Sequence, residues 1–128
     1  ILRNLMEDHD AFIIASPEYN SSIPGTLKNY LDWVSRPDGD VPGLAAYKGK
    51  VAAILSASPG RLGGLRGLMH LRDILENMGV LVIPEQHAVS QAADAFAFDG
   101  GLKNERDQQA VEKVVQRLVK VSARLAGG

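Results

Sequence analysis

The chain has 128 residues, 14 Lys plus Arg against 15 Asp plus Glu, a net charge of −1 and no cysteine. Its length favours one domain with a single core, and its balanced charge offers no overall attraction to nucleic acid or an anionic membrane. Without cysteine there are no disulfides, thiolate metal sites, cysteine-held iron–sulfur clusters or thiol nucleophiles, and no apolar run approaches the roughly 20 residues that cross a bilayer.

In chain order, Leu2, Leu5 and Met6 suit the last turns of a helix. Neither an initiator Met nor the layout of a secretory signal precedes them, so Ile1 reads as a cut end and the cytoplasm is the expected location. Phe12-Ile13-Ile14-Ala15 follows as an apolar run without polar alternation, the pattern of a strand covered on both faces of a parallel sheet. Leu27, Tyr30, Leu31 and Val34 then repeat at helical spacing between Pro24-Gly25 and Arg36-Pro37. Val51-Ala52-Ala53-Ile54-Leu55 is a second buried strand, and Leu68, Leu71, Leu75 and Met78 form a second helical stripe that stops at Gly79. Val80-Leu81-Val82-Ile83, closed by Pro84, reads as a third strand. The longest stripe is Val111, Val114, Val115, Leu118, Val121, Ser122 and Leu125, in a helix expected from about Asn104 onward. Strands alternating with helices predict an α/β fold, a parallel sheet with helices on both faces. The segments Asp38–Gly43 and Gln91–Gly101 are the candidate flexible loops.

In open α/β sheets, ligands bind beyond the carboxyl ends of the strands. Two loops fall there. The first, Ser16-Pro17-Glu18-Tyr19-Asn20-Ser21-Ser22-Ile23-Pro24-Gly25, leads to the free amides of a helix N-terminus. The second, Ser56-Ala57-Ser58-Pro59-Gly60-Arg61-Leu62-Gly63-Gly64-Leu65-Arg66-Gly67, carries glycines that let backbone approach a flat ligand. Its G-x-x-G-G-x-x-G spacing is neither the dinucleotide fingerprint nor a P-loop. Ser58 does not sit in the G-x-S-x-G of a hydrolase elbow.

These motifs, Ser-Pro-Glu-Tyr-Asn-Ser-Ser-Ile-Pro-Gly-Thr-Leu-Lys-Asn-Tyr-Leu-Asp-Trp and, further on, Ser56-Ala57-Ser58-Pro59-Gly60 with Gly63-Gly64, resemble the NADPH-dependent FMN reductase family of flavodoxin-like flavoproteins. The resemblance covers nearly the whole chain. It implies a flavodoxin-like three-layer sandwich, represented by its C-terminal portion, with residues 1–128 as one N-terminally truncated domain. The family's phosphate-holding loop, after its first strand, is expected to lie outside this sequence, which leaves Phe12–Ala15 as an edge strand. The implied activity is NAD(P)H-dependent FMN reduction, with electrons passed to a quinone, free flavin or similar small acceptor.

By resemblance, Pro17, Glu18, Tyr19, Asn20, Ser58, Gly60 and Gly63 contact the FMN ring, largely through backbone groups. No side chain is required as acid, base or nucleophile, since the cofactor carries the chemistry. Glu18, beside a turn, is expected to be solvated; Arg61 and Arg66 could equally be solvated or receive a nicotinamide-dinucleotide phosphate. His9, His70 and His87 lack metal-ligand spacing and read as surface or packing residues. Aromatic surface from Tyr30, Trp33 and Tyr47 suggests a homodimer or homotetramer. Two rivals differ in class. A flavodoxin-type electron carrier tends to be strongly acidic, unlike this chain, and a receiver-type signalling domain needs an acidic strand end where Ser16-Pro17 stands.

Overall fold

The computed structural model describes residues 1–127. Its order is α1 (Leu2–Asp8), β1 (Ala11–Ala15), α2 (Gly25–Val34), β2 (Val51–Ala57), α3 (Leu65–Asn77), β3 (Leu81–Val82), β4 (His87–Val89), α4 (Ala92–Ala95) and α5 (Glu105–Gly127). All strands run parallel, and β2 is the hub. It pairs with β1 from Ala11↔Val51 to Ala15↔Leu55 on one side. On the other it pairs first with β3, through Val51↔Leu81 and Ala52↔Val82, and then with β4, from Leu55↔His87 to Ala57↔Val89.

The apolar run of β2 serves two cores because successive side chains point to opposite faces. Ala52 and Ile54 pack with Leu31, Leu68, Leu71 and Leu75 on the side of α2 and α3. Val51 and Ala53 pack with Ile83, Val114 and Leu118 on the side of α5. The stripes of α2 and α3 bury where their spacing predicts, whereas in α5 Val114 and Leu118 are buried but Val115 and Leu125 of the expected stripe are exposed; Asn104 caps α5 by accepting the N–H of Arg106 at 2.9 Å.

Four expectations need refinement or correction. The strand expected over Val80–Ile83 is present in shorter form as β3, ending before Pro84 as expected, and β4, which was not expected, takes over the same partner beyond the proline. Arg72 of α3 braces the break, donating to the carbonyls of Val82 at 3.2 Å and Ile83 at 3.0 Å and to Gln86 Oε1 at 2.9 Å. The two candidate flexible loops are built: Asp38 and Val41 exchange backbone hydrogen bonds, and residues 91–104 form α4 followed by a Phe96–Leu102 bridge. The Phe12–Ala15 run is covered on one face only, since Phe12 and Ile14 join the larger core while Ile13 is 43% exposed. Ile13 lines an apolar groove of about 540 Å³ with Leu118, Val119 and Ala123 of α5. Finally, Tyr47 is not surface but fully buried in the α2–α3 core, and its hydroxyl donates to the Leu31 carbonyl at 2.9 Å.

Burial penalises the phenolate and pushes the Tyr47 pKa above its usual 10.0; Tyr30 is raised for the same reason. Above pH 10 the unfolded chain releases the Tyr47 proton while the folded chain retains it. The folded state then binds more protons, so this contribution to stability is complete below pH 10 and is lost as pH rises beyond it, by up to about 1.4 kcal/mol per unit. Tyr47→Phe should cost about 1 kcal/mol at neutral pH through the lost hydrogen bond and flatten the alkaline fall in stability. Urea unfolding at pH 8 and pH 11 checks both effects.

Candidate functional site

At the carboxyl ends of β1 and β2 the chain turns outward twice. Ser16 extends the β1 ladder, its N–H donating to Leu55 at 2.9 Å, and Pro17 then directs the chain away from the sheet. Tyr19 and Ser22 exchange backbone hydrogen bonds at 2.9 and 3.1 Å across Asn20 (φ 52°) and Ser21 (φ 68°). Positive φ at both central residues marks a tight turn of type I′, which Asn tolerates and Ser adopts at a cost. The turn lifts Tyr19 outward, leaving it 60% exposed.

The second loop is anchored rather than free. The Ser58 N–H donates to the Val89 carbonyl at 3.1 Å, and the buried Ser56 hydroxyl donates to the Gly63 carbonyl at 2.7 Å. Gly63 (φ 66°) packs so closely on β4 that a Cβ would stand 2.7 Å from the Val89 carbonyl carbon and 2.8 Å from that of Ala88. Its hydrogen side chain thus serves backbone packing, whereas Gly60, with nothing nearer than Ser58 Oγ at 3.8 Å, lies open on the surface. Between the loops and the hairpin of residues 96–102 is an apolar cavity of about 400 Å³, lined by Pro17, Ala57, Val89, Phe96, Leu102 and Val111 among others.

Of the anticipated contact residues, Pro17 lines this cavity, Tyr19, Asn20 and Gly60 are exposed on the crest, and Ser58 is half-buried. Gly63 lies beneath them. Glu18 departs from expectation: its side chain is 8% exposed, and Oε1 receives Arg66 Nε at 2.9 Å and a second guanidinium nitrogen at 2.8 Å. Arg66 is therefore committed to a carboxylate instead of standing ready for a phosphate, while Arg61 makes no side-chain hydrogen bond or ion pair among the described residues. Phe96, Leu102 and Val111 were not anticipated. Their only trace in the sequence is apolar character within a Gly- and Asp-containing loop and at the start of α5. The histidines are dispersed: His9 contacts the Leu5 carbonyl at 2.6 Å, His70 the Ser22 hydroxyl at 2.8 Å and His87 the Asp107 carboxylate at 2.7 Å. No group of three or more potential metal ligands occurs among the described residues, and no helix is long and apolar enough to cross a membrane.

The crest can do particular chemistry. The N–H groups of Glu18, Asn20, Arg61 and Leu62 find no protein acceptor among the described residues. They are unpaired donors beside proline, aromatic and aliphatic groups, a combination that can pair with the acceptor edge of a planar ligand.

A parallel sheet between helical layers, with its ligand-directed loops beyond the strand ends, defines the chain as flavodoxin-like. Residues 2–94 match the NADPH-dependent FMN reductase family, and the chain belongs to that family. It is 38% identical over 119 residues to an NAD(P)H-dependent FMN reductase of Pseudomonas aeruginosa, covering 92% of this chain and 62% of that protein. An NAD(P)H:quinone oxidoreductase of Solanum tuberosum is likewise 38% identical over 128 residues, covering 98% of this chain and 62% of the relative. Among solved structures, the flavoenzyme NAD(P)H:(acceptor) oxidoreductase FerB from Paracoccus denitrificans superposes with a TM-score of 0.82 at 31% identity, covering 96% of this chain and 66% of that one. The chain thus spans about 62% of the length of these two curated relatives.

The two glycines separate packing from ligand approach. Gly63→Ala should destabilise the fold by at least about 3 kcal/mol, combining an overpacked contact with a left-handed backbone. Gly60→Ala should change stability by less than about 0.5 kcal/mol. Thermal unfolding of both variants in the absence of ligand makes the comparison.

Proposed function

We propose that this protein is an NAD(P)H-dependent FMN oxidoreductase acting on a quinone, free flavin or similar small acceptor. The observation that carries this reading is the convergence of two loops with free amides at adjacent strand ends, beside an apolar cavity. Those features suit the ring of FMN: the free N–H groups match its carbonyl and nitrogen acceptors, and the apolar walls match its dimethylbenzene edge. Bound FMN would supply the redox chemistry, accepting hydride from the nicotinamide and returning two electrons to the acceptor.

The chain's own residues hold and orient. Pro17, Glu18, Tyr19 and Asn20 would present backbone to one side of the ring, and Ser58 and Gly60 to the other, with Gly63 shaping the loop from beneath. Fixed amide dipoles around Glu18–Asn20 and Arg61 would stabilise electron density developing on the reduced ring without reorganisation. Tyr19 is placed to cover the ring's edge and exclude water. On this reading no side chain need transfer a proton, since the cofactor carries the chemistry.

On this reading residues 1–128 belong to one flavodoxin-like domain, working in the cytoplasm where NAD(P)H is available. The protein assembles as a homodimer or homotetramer. Support for assembly comes from apolar side chains near the crest and on α2, with Leu62 52%, Met69 58% and Trp33 69% exposed.

Titration of the full-length protein, phosphate-holding loop included, with FMN, followed by flavin fluorescence, and stopped-flow oxidation of NADPH and NADH test the function; residues 1–128 alone should bind FMN weakly or not at all. The expected result is saturable FMN binding and acceptor-dependent NAD(P)H oxidation; FMN binding without NAD(P)H oxidation would instead favour an electron carrier. Tyr19→Ala should raise the FMN Kd about 3- to 10-fold through lost aromatic contact while leaving the unfolding midpoint nearly unchanged. Unaltered affinity and turnover would remove Tyr19 from the site.

A further inference from the structure

The two crest loops are distant in sequence, and polar side chains 48 positions apart join them. Glu18 is the centre of this junction. Its Oε1 accepts from Arg66 Nε at 2.9 Å and from a second guanidinium nitrogen at 2.8 Å, while Oε2 accepts from the Gly67 N–H at 3.4 Å. Gly67 lies in the first turn of α3, where N–H groups lack intrahelical partners and the helix dipole favours a negative charge. A second contact follows one helical turn on, where His70 Nδ1 meets Ser22 Oγ at 2.8 Å. Close approach is possible because residue 67 is glycine: a Cβ there would stand 3.2 Å from the Ser22 carbonyl oxygen and 3.4 Å from Glu18 Cα. The first loop is therefore docked on the opening turns of the helix that the second loop feeds.

We propose that Glu18 and Arg66 are positioning residues for the flavin site, a charged clasp that sets the spacing of the two loops without touching the flavin through either side chain. This rests on the flavin-site reading above. The Glu18 carboxylate is nearly buried and turned toward α3, so its charge is used internally. The Glu18 and Asn20 backbone N–H groups find no acceptor among the described residues and are left available to a ligand. An isolated buried carboxylate is costly, whereas one paired with a guanidinium and a helix N-terminus is tolerated and directional. The clasp thereby converts two separately anchored loops into one frame.

The test combines Glu18→Gln, Arg66→Met, the double variant and Arg66→Lys. Hydrogen exchange of the ligand-free proteins is read in residues 16–22 and 58–65, and FMN affinity is read by fluorescence titration of the full-length protein. Either single variant should speed amide exchange in both loops together and weaken FMN binding by about tenfold. The double variant should be no worse than the stronger single, because one interaction is removed in each case. Arg66→Lys should recover only part of the loss, since it keeps the charge and loses the planar fork.

Weaker FMN binding with unchanged loop exchange in Glu18→Gln would place its carboxylate on the flavin and overturn the clasp. Unchanged exchange and unchanged affinity would do the same. If Glu18→Gln fails to fold, Arg66→Met decides, because Arg66 is 56% exposed and its removal leaves the core intact. Should the unaltered protein bind no FMN, the functional reading falls, and the exchange data alone still establish or refute the linkage of the loops.

Discussion

The double burial of β2 is the constraint on which the rest of this molecule depends. Every other strand hydrogen-bonds to it and to no other strand among the described residues. Its residues Val51–Ile54 feed two cores in strict alternation, so a slip of one residue would exchange the two sets of contacts. Small side chains at Ala52 and Ala53 let the helical layers approach the sheet from both sides. Once β2 is fixed, its carboxyl end fixes the crest: Leu55 receives Ser16 from β1, and Ala57 lies level with Val89 of β4. Both loops thus depart from a common, rigid level.

From that level outward, control passes from apolar burial to backbone geometry and charge. The left-handed pair Asn20-Ser21 stores strain of the kind that persists only where surrounding contacts impose it. Those contacts are the paired hydrogen bonds of Tyr19 and Ser22 and the docking of Glu18 on α3. A preformed crest suits flavin chemistry, in which dipoles must already point at the ring before its electron density changes. A loop that had to reorganise during the reaction would give up part of that stabilisation.

The sequence made the long, periodic elements legible. Phe12–Ala15, Val51–Leu55 and the stripes of α2, α3 and α5 announce themselves because burial on a fixed face imposes a period, and the glycine- and proline-rich loops announce the crest. Elements without a period were hidden. β4 has three residues, beginning with a polar His87 that pairs with Asp107, and nothing in so short a segment distinguishes strand from loop. Tyr47 is buried from an irregular stretch, so no pattern reported its orientation. Gly63 looked like a ligand-facing glycine, and nothing in the sequence announced its close packing on a strand encoded some twenty-five residues later. The Glu18–Arg66 pair was invisible for the same reason: it joins side chains 48 positions apart, and each charge alone reads as a solvated one.

The Glu18–Arg66 pair also bears on the electrostatics of the proposed flavin site. A carboxylate left open at Glu18 would set a negative charge beside a ring that gains electrons, opposing the reaction it borders. Turning that carboxylate onto Arg66 and the α3 N-terminus would weaken its field at such a ring, while its backbone N–H has no protein acceptor among the described residues. The same residue would then offer a ligand its backbone N–H while its side chain holds the loop to α3. A neutral residue at position 18 would keep the outward amide but lose the charge-assisted tether that aims it. The ion pair and the free amides of Glu18 and Asn20 thus meet in one loop.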